Sequence, residues 1–271
     1  SSGKPRAWPV AQSGAALLSA GEGGLWLYGG SGQESSIAEM WTLEPAAPEW
    51  QRVSFRVTNQ AKSQPEAPGA RKKGPPGPVG RSGAALAYSP SARGIVLVGG
   101  KVAGRSQKDT WLFETARKTW RRLAAEGPHP EARAGAVLAE LGAGGRLYLF
   151  GGRSQSRKAL NDTWCLDMSG NEAGIWRLIK LSRRPSPRYA PAAAAADAGR
   201  MVLFGGRPRL GGPRSDTWVL RKVAISVQWD GLASPLTPAP SDFPAPAMVW
   251  DPECRAVVLW DSDRLWTLRL K

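Results

Sequence analysis

A pair of adjacent glycines recurs along the chain, each time directly after a short run of β-branched, aliphatic or aromatic residues. The runs with their glycines are Leu25–Gly30, Ile95–Gly100, Leu147–Gly152 and Met201–Gly206, and a fifth run, Val257–Asp261, has lost the glycines. One tryptophan follows each glycine pair by eleven or twelve residues, and a second follows nine to twelve residues after the first. Self-similarity at a period of about 50 residues is the sequence signature of proteins built from stacked repeats. One supersecondary unit, repeated along the chain, is therefore predicted.

Each unit also carries a run of small residues upstream of the glycine pair. The runs are Ser13–Leu17, Ser82–Leu86, Ala134–Leu138, Ala190–Ala194 and Ala245–Val249. Alanine favours helices, but each run is short, contains Gly or Pro and is bounded by turn residues, so a strand fits better. Each unit is thus predicted to form four short strands: strand A with the small residues, strand B ending in Gly-Gly, strand C with the first tryptophan and strand D with the second.

In the order of these elements the chain resembles the kelch repeat, in which an arginine and small residues precede a Gly-Gly strand, an aromatic strand and a tryptophan strand. The resemblance covers nearly the whole chain, in four clear units and one degraded unit. It implies an all-β fold, a kelch-type β-propeller in which each unit forms one four-stranded blade around a central channel. Packing agrees, because only small residues fit near the axis, and large tryptophan side chains fill the wider space between the outer parts of the blades.

Residues 1–271 are predicted to form a single propeller domain of five blades. The fifth unit ends after strand C, and the N-terminal segment Arg6–Val10, which carries Trp8, is predicted to supply the missing strand D and close the ring. The segment from about 54 to 79 breaks the repeat spacing and combines five prolines with the cluster Arg71–Lys73. Such a composition does not pack a core, so this segment is predicted to be an exposed insert, disordered or ordered only by a partner.

The chain has 37 Lys and Arg against 22 Asp and Glu, a net charge of +15 (37 − 22). In a propeller of antiparallel blades the B–C and D–A connections emerge on one face, and the A–B and C–D hairpins emerge on the other. Many of the cations fall on the first face, chiefly in units 2 to 4, which favours an anionic partner. The partner-binding residues predicted on this basis are Arg71, Lys72, Lys73, Arg81, Lys101, Arg105, Lys108, Arg133, Arg153, Arg157, Lys158, Arg183, Arg184, Arg188, Arg207, Arg209 and Arg214.

Three of these residues, Arg81, Arg133 and Arg188, begin strand A in successive units, at the position of the kelch arginine. In family members of known binding mode, arginines near this rim hold acidic peptides, so the resemblance implies the same use here. The planar guanidinium group suits bidentate binding of a carboxylate. Three aspartates that lie two residues before a strand C tryptophan are interpreted as acceptors that close turns; they are Asp109, Asp162 and Asp216.

No catalytic constellation is visible in the sequence. The chain has one histidine, His129, and two cysteines, Cys165 and Cys254, which excludes a multi-histidine metal site and a disulfide framework. No glycine pair is followed by the helix and Lys-Ser or Lys-Thr of a phosphate-binding loop. We therefore expect no enzymatic activity, no catalytic or metal-binding residues and no cofactor.

The location of the protein is only weakly constrained by its sequence. No apolar stretch approaches the roughly 18 to 20 residues of a membrane helix, so membrane insertion is not expected. The N-terminus has no apolar signal core and there is no disulfide framework, which favours an intracellular or organellar location over secretion. Because the chain begins without Met, a removed targeting segment stays open.

These features favour a non-catalytic interaction or scaffold module, monomeric on its own, that binds an acidic protein segment or docks in a larger assembly through its basic B–C and D–A loops. The alternative is an RNA-associated subunit of a ribonucleoprotein assembly that binds the phosphate backbone, since no exposed aromatics interleave with the cations to stack on bases. A kelch-type enzyme ranks third, because the copper and iron sites of such enzymes need side-chain patterns that this sequence lacks.

Overall fold

The structure of the chain is a computed structural model. It describes residues 8–9, 13–20, 24–32, 38–57, 77–125, 127–142, 144–170, 173–224, 226–232, 247–261 and 264–270. Within these ranges there are strands, turns and a 3-10 turn at Asp197–Gly199, and there is no α-helix. In the same part of the chain no helix is long and apolar enough to cross a membrane.

The first two repeats form two antiparallel sheets. The strands of blade 1, paired in chain order, are β1 (Ala16–Ala20), β2 (Gly24–Tyr28), β3 (Met40–Glu44) and β4 (Ala47–Arg52). The next strands in the chain are β5 (Arg56–Val57), β6 (Ala85–Ser89), β7 (Gly94–Val98), the hairpin β8 (Lys101–Val102) and β9 (Arg105–Ser106), then β10 (Thr110–Glu114) and β11 (Thr119–Leu123). Blade 2 has the order β6-β7-β10-β11, and β5 adds to its outer edge.

The remaining repeats form three more sheets. Blade 3 consists of β13 (Val137–Glu140), β14 (Arg146–Phe150), β16 (Thr163–Asp167) and β17 (Ile175–Ile179), with a small ladder between β12 (Arg133–Ala134) and β15 (Arg153–Ser154). Blade 4 consists of β18 (Ala192–Ala196), β19 (Arg200–Phe204), β20 (Thr217–Val223) and β21 (Ser226–Gly231). Blade 5 has three strands in the described structure, β22 (Ala247–Asp251), β23 (Ala256–Asp261) and β24 (Arg264–Arg269).

The A strands lie innermost, and each packs beside the A strand of the next blade along the chain, from β1 through β6, β13 and β18 to β22. Apolar side chains of neighbouring blades interlock between the sheets; Trp120 of blade 2, for example, packs on Phe113 of its own blade and on Tyr28 of blade 1. Burying such aromatic surface is the main favourable contribution to folding. The prediction of an all-β propeller of five blades is confirmed.

Strand A begins two or three residues later than predicted in units 1 to 4; in unit 5 the residues directly before β22 lie outside the described part. The residues ahead of it are used instead for contacts with other connections: Ser82, for example, forms an isolated backbone bridge with Lys101. The next residue, Gly83, has a φ of +63°, which ends the extended conformation at that point. These turns, rather than the strands, form the mouth of the central channel.

The predicted closure by segment Arg6–Val10 falls mostly outside the described residues. Only Trp8 and Pro9 of that segment are described, and neither is part of a strand. Trp8 is more than half exposed.

The predicted exposed insert at about 54–79 is folded at both of its ends. Phe55 packs edge-on against Phe113 and Trp120, and β5 pairs with β11 in parallel. At the other end, Pro78 is buried and its carbonyl accepts the Tyr28 hydroxyl at 2.8 Å. The flanking apolar residues Phe55 and Pro78 thus add to the packing of blades 1 and 2, and residues 58–76 lie outside the described part.

Candidate functional site

The mouth of the central channel is built from the turns that lead into strand A. Gly83 N donates to Gly14 O at 2.8 Å, Gly135 N to Gly83 O at 2.7 Å and Ala190 N to Gly135 O at 2.7 Å, so backbone hydrogen bonds join blades 1 to 4. This link requires close approach of backbones, since a Cβ on Gly83 would lie 3.3 Å from Gly135 N. The turns frame a cavity of about 230 Å³, which is lined by Ser13, Gly14, Ser82, Gly83, Lys101, Ala134, Gly135, Arg153 and Tyr189.

Three cations stand at equivalent positions in blades 2, 3 and 4, directly after the glycine pair. Lys101, Arg153 and Arg207 each form a backbone bridge to a residue just ahead of strand A in the same blade. The bridges bring the B–C and D–A connections to one face of the propeller. All three side chains are half-buried, and those of Lys101 and Arg153 line the cavity.

The electrostatic environment of this mouth is positive. Burial lowers the pKa of Lys101 from its ordinary value of 10.5, and the charges of Arg153 and Arg157 lower it further. Among the described residues, Lys101, Arg153 and Arg157 form no salt bridge. A bound anion would relieve their mutual repulsion.

Cations near the opposite face are arranged differently. There Arg117 pairs with Glu114 at 2.9 Å, and Asp167 holds both Arg177 at 2.8 Å and Arg146 at 3.4 Å. These carboxylates neutralise their neighbours within the chain.

Further predicted cations surround the mouth on exposed loops. The loops of blades 2 and 3 touch, since Ser106 N donates to Gln155 Oε1 at 2.6 Å. The guanidinium of Arg183 lies over the Trp218 ring, 5.9 Å from its centroid. The predicted residues Arg71, Lys72 and Lys73 lie outside the described residues. We call the following set the basic face: Lys101, Arg105, Lys108, Arg153, Arg157, Lys158, Arg183, Arg184, Arg207, Arg209 and Arg214.

The three strand A arginines require a correction, because they are interior residues. Arg81, Arg133 and Arg188 are 2%, 1% and 0% exposed. Arg133 Nη1 and Nη2 donate to the two oxygens of Asp162 at 2.6 and 2.7 Å, and Nη1 also donates to Gly151 O at 2.9 Å. Their guanidinium donors are therefore already used inside the fold, and these three residues are removed from the partner-binding set.

Asp109, Asp162 and Asp216 are the partners in this arrangement, rather than the turn-closing acceptors that the sequence suggested. Each binds the arginine of its own blade through both oxygens and also accepts the indole N–H of the tryptophan two residues later, at 2.6 to 2.7 Å. We call this Arg–Asp–Trp arrangement the blade clamp. It joins the start of strand A, the end of strand B and the start of strand C.

The first and last blades lack the complete clamp. In blade 1, Glu39 takes the place of the aspartate; it accepts the Trp41 indole at 3.1 Å and pairs with Arg52 at 2.8 Å. In blade 5 the residue two before Trp266 is Arg264, and the buried Trp266 Nε1 has no hydrogen-bond partner among the described residues. The loss of the repeat pattern at both ends of the sequence thus coincides with loss of the clamp.

The clamps make the fold sensitive to acid. Burial alone would raise the pKa of Asp162, but the hydrogen bonds and charge of Arg133 outweigh burial and hold the pKa below its ordinary 3.8; Asp109 and Asp216 behave alike. Each clamp therefore stabilises the folded state above about pH 4 and loses its contribution as the pH falls through the folded-state pKa.

We expect the melting temperature of the protein to decrease as the pH is lowered below 4, and to decrease less steeply in Asp162→Asn. An identical pH profile in that variant would contradict this assignment.

Tyr189 is a residue of the mouth that the sequence interpretation missed. It stands where the other blades have Ser13, Ser82 and Ala134, and Arg153 lies over its ring, 5.2 Å from the centroid. The sequence indicates this difference, because Tyr189 is large where blades 1 to 3 carry small residues. It places one aromatic ring among the cations, where none was expected.

A metal site is not indicated by the described residues, in which no group of three or more His, Cys, Asp or Glu is arranged to hold an ion. Cys165 is buried and Cys254 is exposed, and neither forms a disulfide. Burial raises the pKa of the Cys165 thiol to about 11, which makes this thiol unreactive at neutral pH.

Comparison with known proteins gives consistent matches. A family model described as the KLHDC2/KLHL20/DRC7 Kelch-repeats domain matches residues 76–253. The chain is 29% identical to Adagio-like protein 3 of Oryza sativa subsp. japonica over 232 residues, 83% of this chain and 33% of that protein. It is 32% identical to Dynein regulatory complex subunit 7 of Chlamydomonas reinhardtii over 117 residues, 41% of this chain and 10% of that protein. An F-box/kelch-repeat protein of Arabidopsis thaliana matches at 29% over 157 residues, 54% of this chain and 32% of its own length. The chain spans about a third or less of the length of these relatives.

Proposed function

The chain belongs to the kelch-repeat family of β-propellers, and from this premise we propose that it binds an acidic segment of a partner protein through its basic face. Kelch propellers are typically non-catalytic modules that mediate protein–protein interaction and docking in complexes. One relative is by name a subunit of a dynein regulatory complex, which supports a docking role for this chain as well.

The observation that carries the proposal is the pair of cations that line the cavity at the channel mouth. Lys101 and Arg153 line a cavity without a carboxylate partner among the described residues, whereas Arg117 and Arg177 on the other side are paired within the chain. A cationic cavity with rigid backbone walls is suited to a carboxylate, because little has to be reorganised on binding. Guanidinium groups at its rim offer bidentate hydrogen bonds to the same ligand.

The exposed loops enlarge the surface that an acidic segment can contact and favour one orientation of that segment. The cations of blades 2, 3 and 4 occupy adjacent loops, so an extended acidic segment that crosses the mouth meets several of them in turn. Charge of this kind chiefly raises the association rate and selects the register of the partner. Binding is therefore expected to weaken as the salt concentration rises.

The test compares two variants that carry the same change in net charge. The first changes Arg153, Arg157, Lys158, Arg207 and Arg209 to Glu, and the matched control changes five exposed cations of the opposite face, Arg93, Arg117, Lys118, Lys222 and Arg255, to Glu. Both lower the formal charge from +15 to +5 (15 − 10). Titration of a fluorescein-labelled decaglutamate peptide, followed by anisotropy, should show affinity lost by about 10- to 100-fold in the first variant only.

Equal losses in the two variants would mean that net charge alone attracts the peptide, and would sink the proposal.

A second measurement tests the alternative that the basic face binds RNA. The basic face would be assigned to RNA instead if two results were obtained. An oligouridylate of matched charge would bind the wild type more tightly than the peptide, and nuclease would reduce the recovery of partners from native extract.

A further inference from the structure

The cavity at the channel mouth is rich in hydrogen-bond donors and has no carboxylate in its wall. Its polar side chains are Ser13, Ser82, Lys101, Arg153 and Tyr189, and the other lining residues are glycine and alanine. Lysine and arginine side chains carry N–H donors and no acceptor. The wall therefore has two formal positive charges and no negative group to balance them.

Three hydroxyl groups stand around this cavity at equivalent places in blades 1, 2 and 4. They belong to Ser13, Ser82 and Tyr189, and each of these residues directly precedes a residue whose backbone joins neighbouring blades. None of the three hydroxyl groups forms a hydrogen bond with another described residue, and none is a buried atom without a partner. They are therefore open to solvent and able to donate to a ligand in the cavity.

The donors of the cavity are carried on backbone that is already held in place. Ser82 N donates to Lys101 O at 3.1 Å, and Lys101 N donates to Ser82 O at 2.8 Å. Arg153 pairs through its backbone with Ala134, and its guanidinium lies over the Tyr189 ring, 5.2 Å from the centroid. Little order has to be imposed when a ligand binds to such a site.

The charge of the cavity suits a phosphate better than a carboxylate. Arg153 and Arg157 lie close enough to Lys101 for their charges to lower its pKa. A carboxylate carries one negative charge, which leaves one of the two lining cations unbalanced. A phosphate monoester carries about −1.5 to −2 at neutral pH and has three strong acceptor oxygens, so it balances both cations and also uses the hydroxyl donors.

The size of the cavity limits what can enter it. Its volume of about 230 Å³ is smaller than the roughly 300 to 1,000 Å³ of pockets that enclose a drug-sized molecule. It is therefore suited to one group at the end of a side chain, while the rest of the ligand stays on the surface.

We propose that the cavity binds the phosphate group of a phosphorylated side chain in the acidic segment of the partner protein. Lys101 and Arg153 bind the phosphate as cations, and the hydroxyl groups of Ser82 and Tyr189 donate to an oxygen that the cations leave free. This inference rests on the proposed function, since it concerns the same basic face and names the group that enters its cavity.

The experiment compares two fluorescein-labelled peptides that carry equal charge at about pH 7.5. One is decaglutamate, and the other is a phosphoserine with four glutamates on each side. Each is titrated with the whole protein and followed by anisotropy. The wild type should bind the phosphoserine peptide about tenfold more tightly. The variant Lys101→Gln/Arg153→Gln should bind the two peptides equally.

Arg157→Gln/Lys158→Gln is the matched control, because it removes two cations of the basic face that do not line the cavity. It should weaken the binding of both peptides by the same factor and keep the preference for phosphoserine. A further variant, Ser82→Ala/Tyr189→Phe, keeps every charge and removes two hydroxyl groups. It should lower the preference about fivefold, the usual worth of one hydrogen bond. Melting curves of all three variants check that they are folded.

The possible outcomes separate this inference from the proposed function. Equal binding of the two peptides to the wild type would overturn the phosphate site and leave the proposed function standing, whereas no binding of either peptide would remove both. A preference that survives in Lys101→Gln/Arg153→Gln would place the phosphate elsewhere on the basic face. Tighter binding of a 5′-phosphorylated oligouridylate than of the phosphoserine peptide would assign the cavity to the end of an RNA chain.

Discussion

Replacing Arg133 with alanine is expected to lower the free energy of unfolding by about 3 to 5 kcal/mol, as is usual when one partner of a buried ion pair is removed. Arg133 is 1% exposed, and its guanidinium binds the Asp162 carboxylate and the carbonyl oxygens of Gly151 and Glu131. The substitution leaves the two carbonyl oxygens and the Asp162 carboxylate, whose side chain is 27% exposed, without a charged donor. Chemical denaturation at neutral pH measures the effect.

Two further variants separate the clamp from general effects of charge. Arg157→Ala, on an exposed loop of the same blade, should change the stability by less than about 0.5 kcal/mol. The double variant Arg133→Met/Asp162→Asn should lose less than the sum of the two single changes, because it leaves no unpaired charge. If Arg133→Ala cost no more than Arg157→Ala, the blade clamp would have no role in stability.

Replacing Gly99 with alanine should cost about 3 kcal/mol. Gly99 has a φ of +65°, and a Cβ at this position would lie 2.5 Å from Arg133 O in the next blade. The left-handed conformation costs a non-glycine residue about 1 to 2 kcal/mol, and overpacking against a rigid backbone costs about 1 to 3 kcal/mol more. The contact cannot relax without moving the start of blade 3, because Gly100 N also donates to Arg133 O at 2.8 Å.

Gly104 offers the matched control for this prediction. It has a similar φ of +77°, and nothing lies within 4 Å of the position of an added Cβ. Gly104→Ala should therefore cost only the conformational part, about 1 to 2 kcal/mol. Equal losses in thermal or chemical unfolding of the two variants would show that the approach of blades 2 and 3 at Gly99 is not tight.

The repeat could be predicted from sequence because its signals are local. Runs such as Leu147–Gly152 combine a strand pattern with a turn signal within six residues, and the spacing of Trp164 and Trp176 follows from the lengths of strands and turns. The start of strand A was placed two or three residues early, since Gly83 and its equivalents are drawn into bonds between blades. No local pattern reports a hydrogen bond to a turn about 50 residues away.

The candidate site was predictable only in part for the same reason. The sequence identified which loops carry cations, and the structure places Lys101 and Arg153 together at the cavity. The sequence did not distinguish Arg133, which is buried, from Arg153, which is half-buried at the mouth. Tyr189 was visible as an exception in a column of small residues, but its contact with Arg153 depends on two connections that meet only in the folded blade.

The sequence by itself determined the architecture of this protein, an all-β propeller built from five repeated units. Hydrophobic alternation and the spacing of glycine and tryptophan involve residues that are close together in the chain, so these patterns can be read from the sequence. Only the tertiary structure decided which cations are available. Arg81 and Asp109 are 28 residues apart, and their pairing exists only once strands A, B and C have assembled. Burial and hydrogen bonding likewise depend on what the completed fold brings into contact; the buried Thr217 hydroxyl, for example, has no hydrogen-bond partner among the described residues.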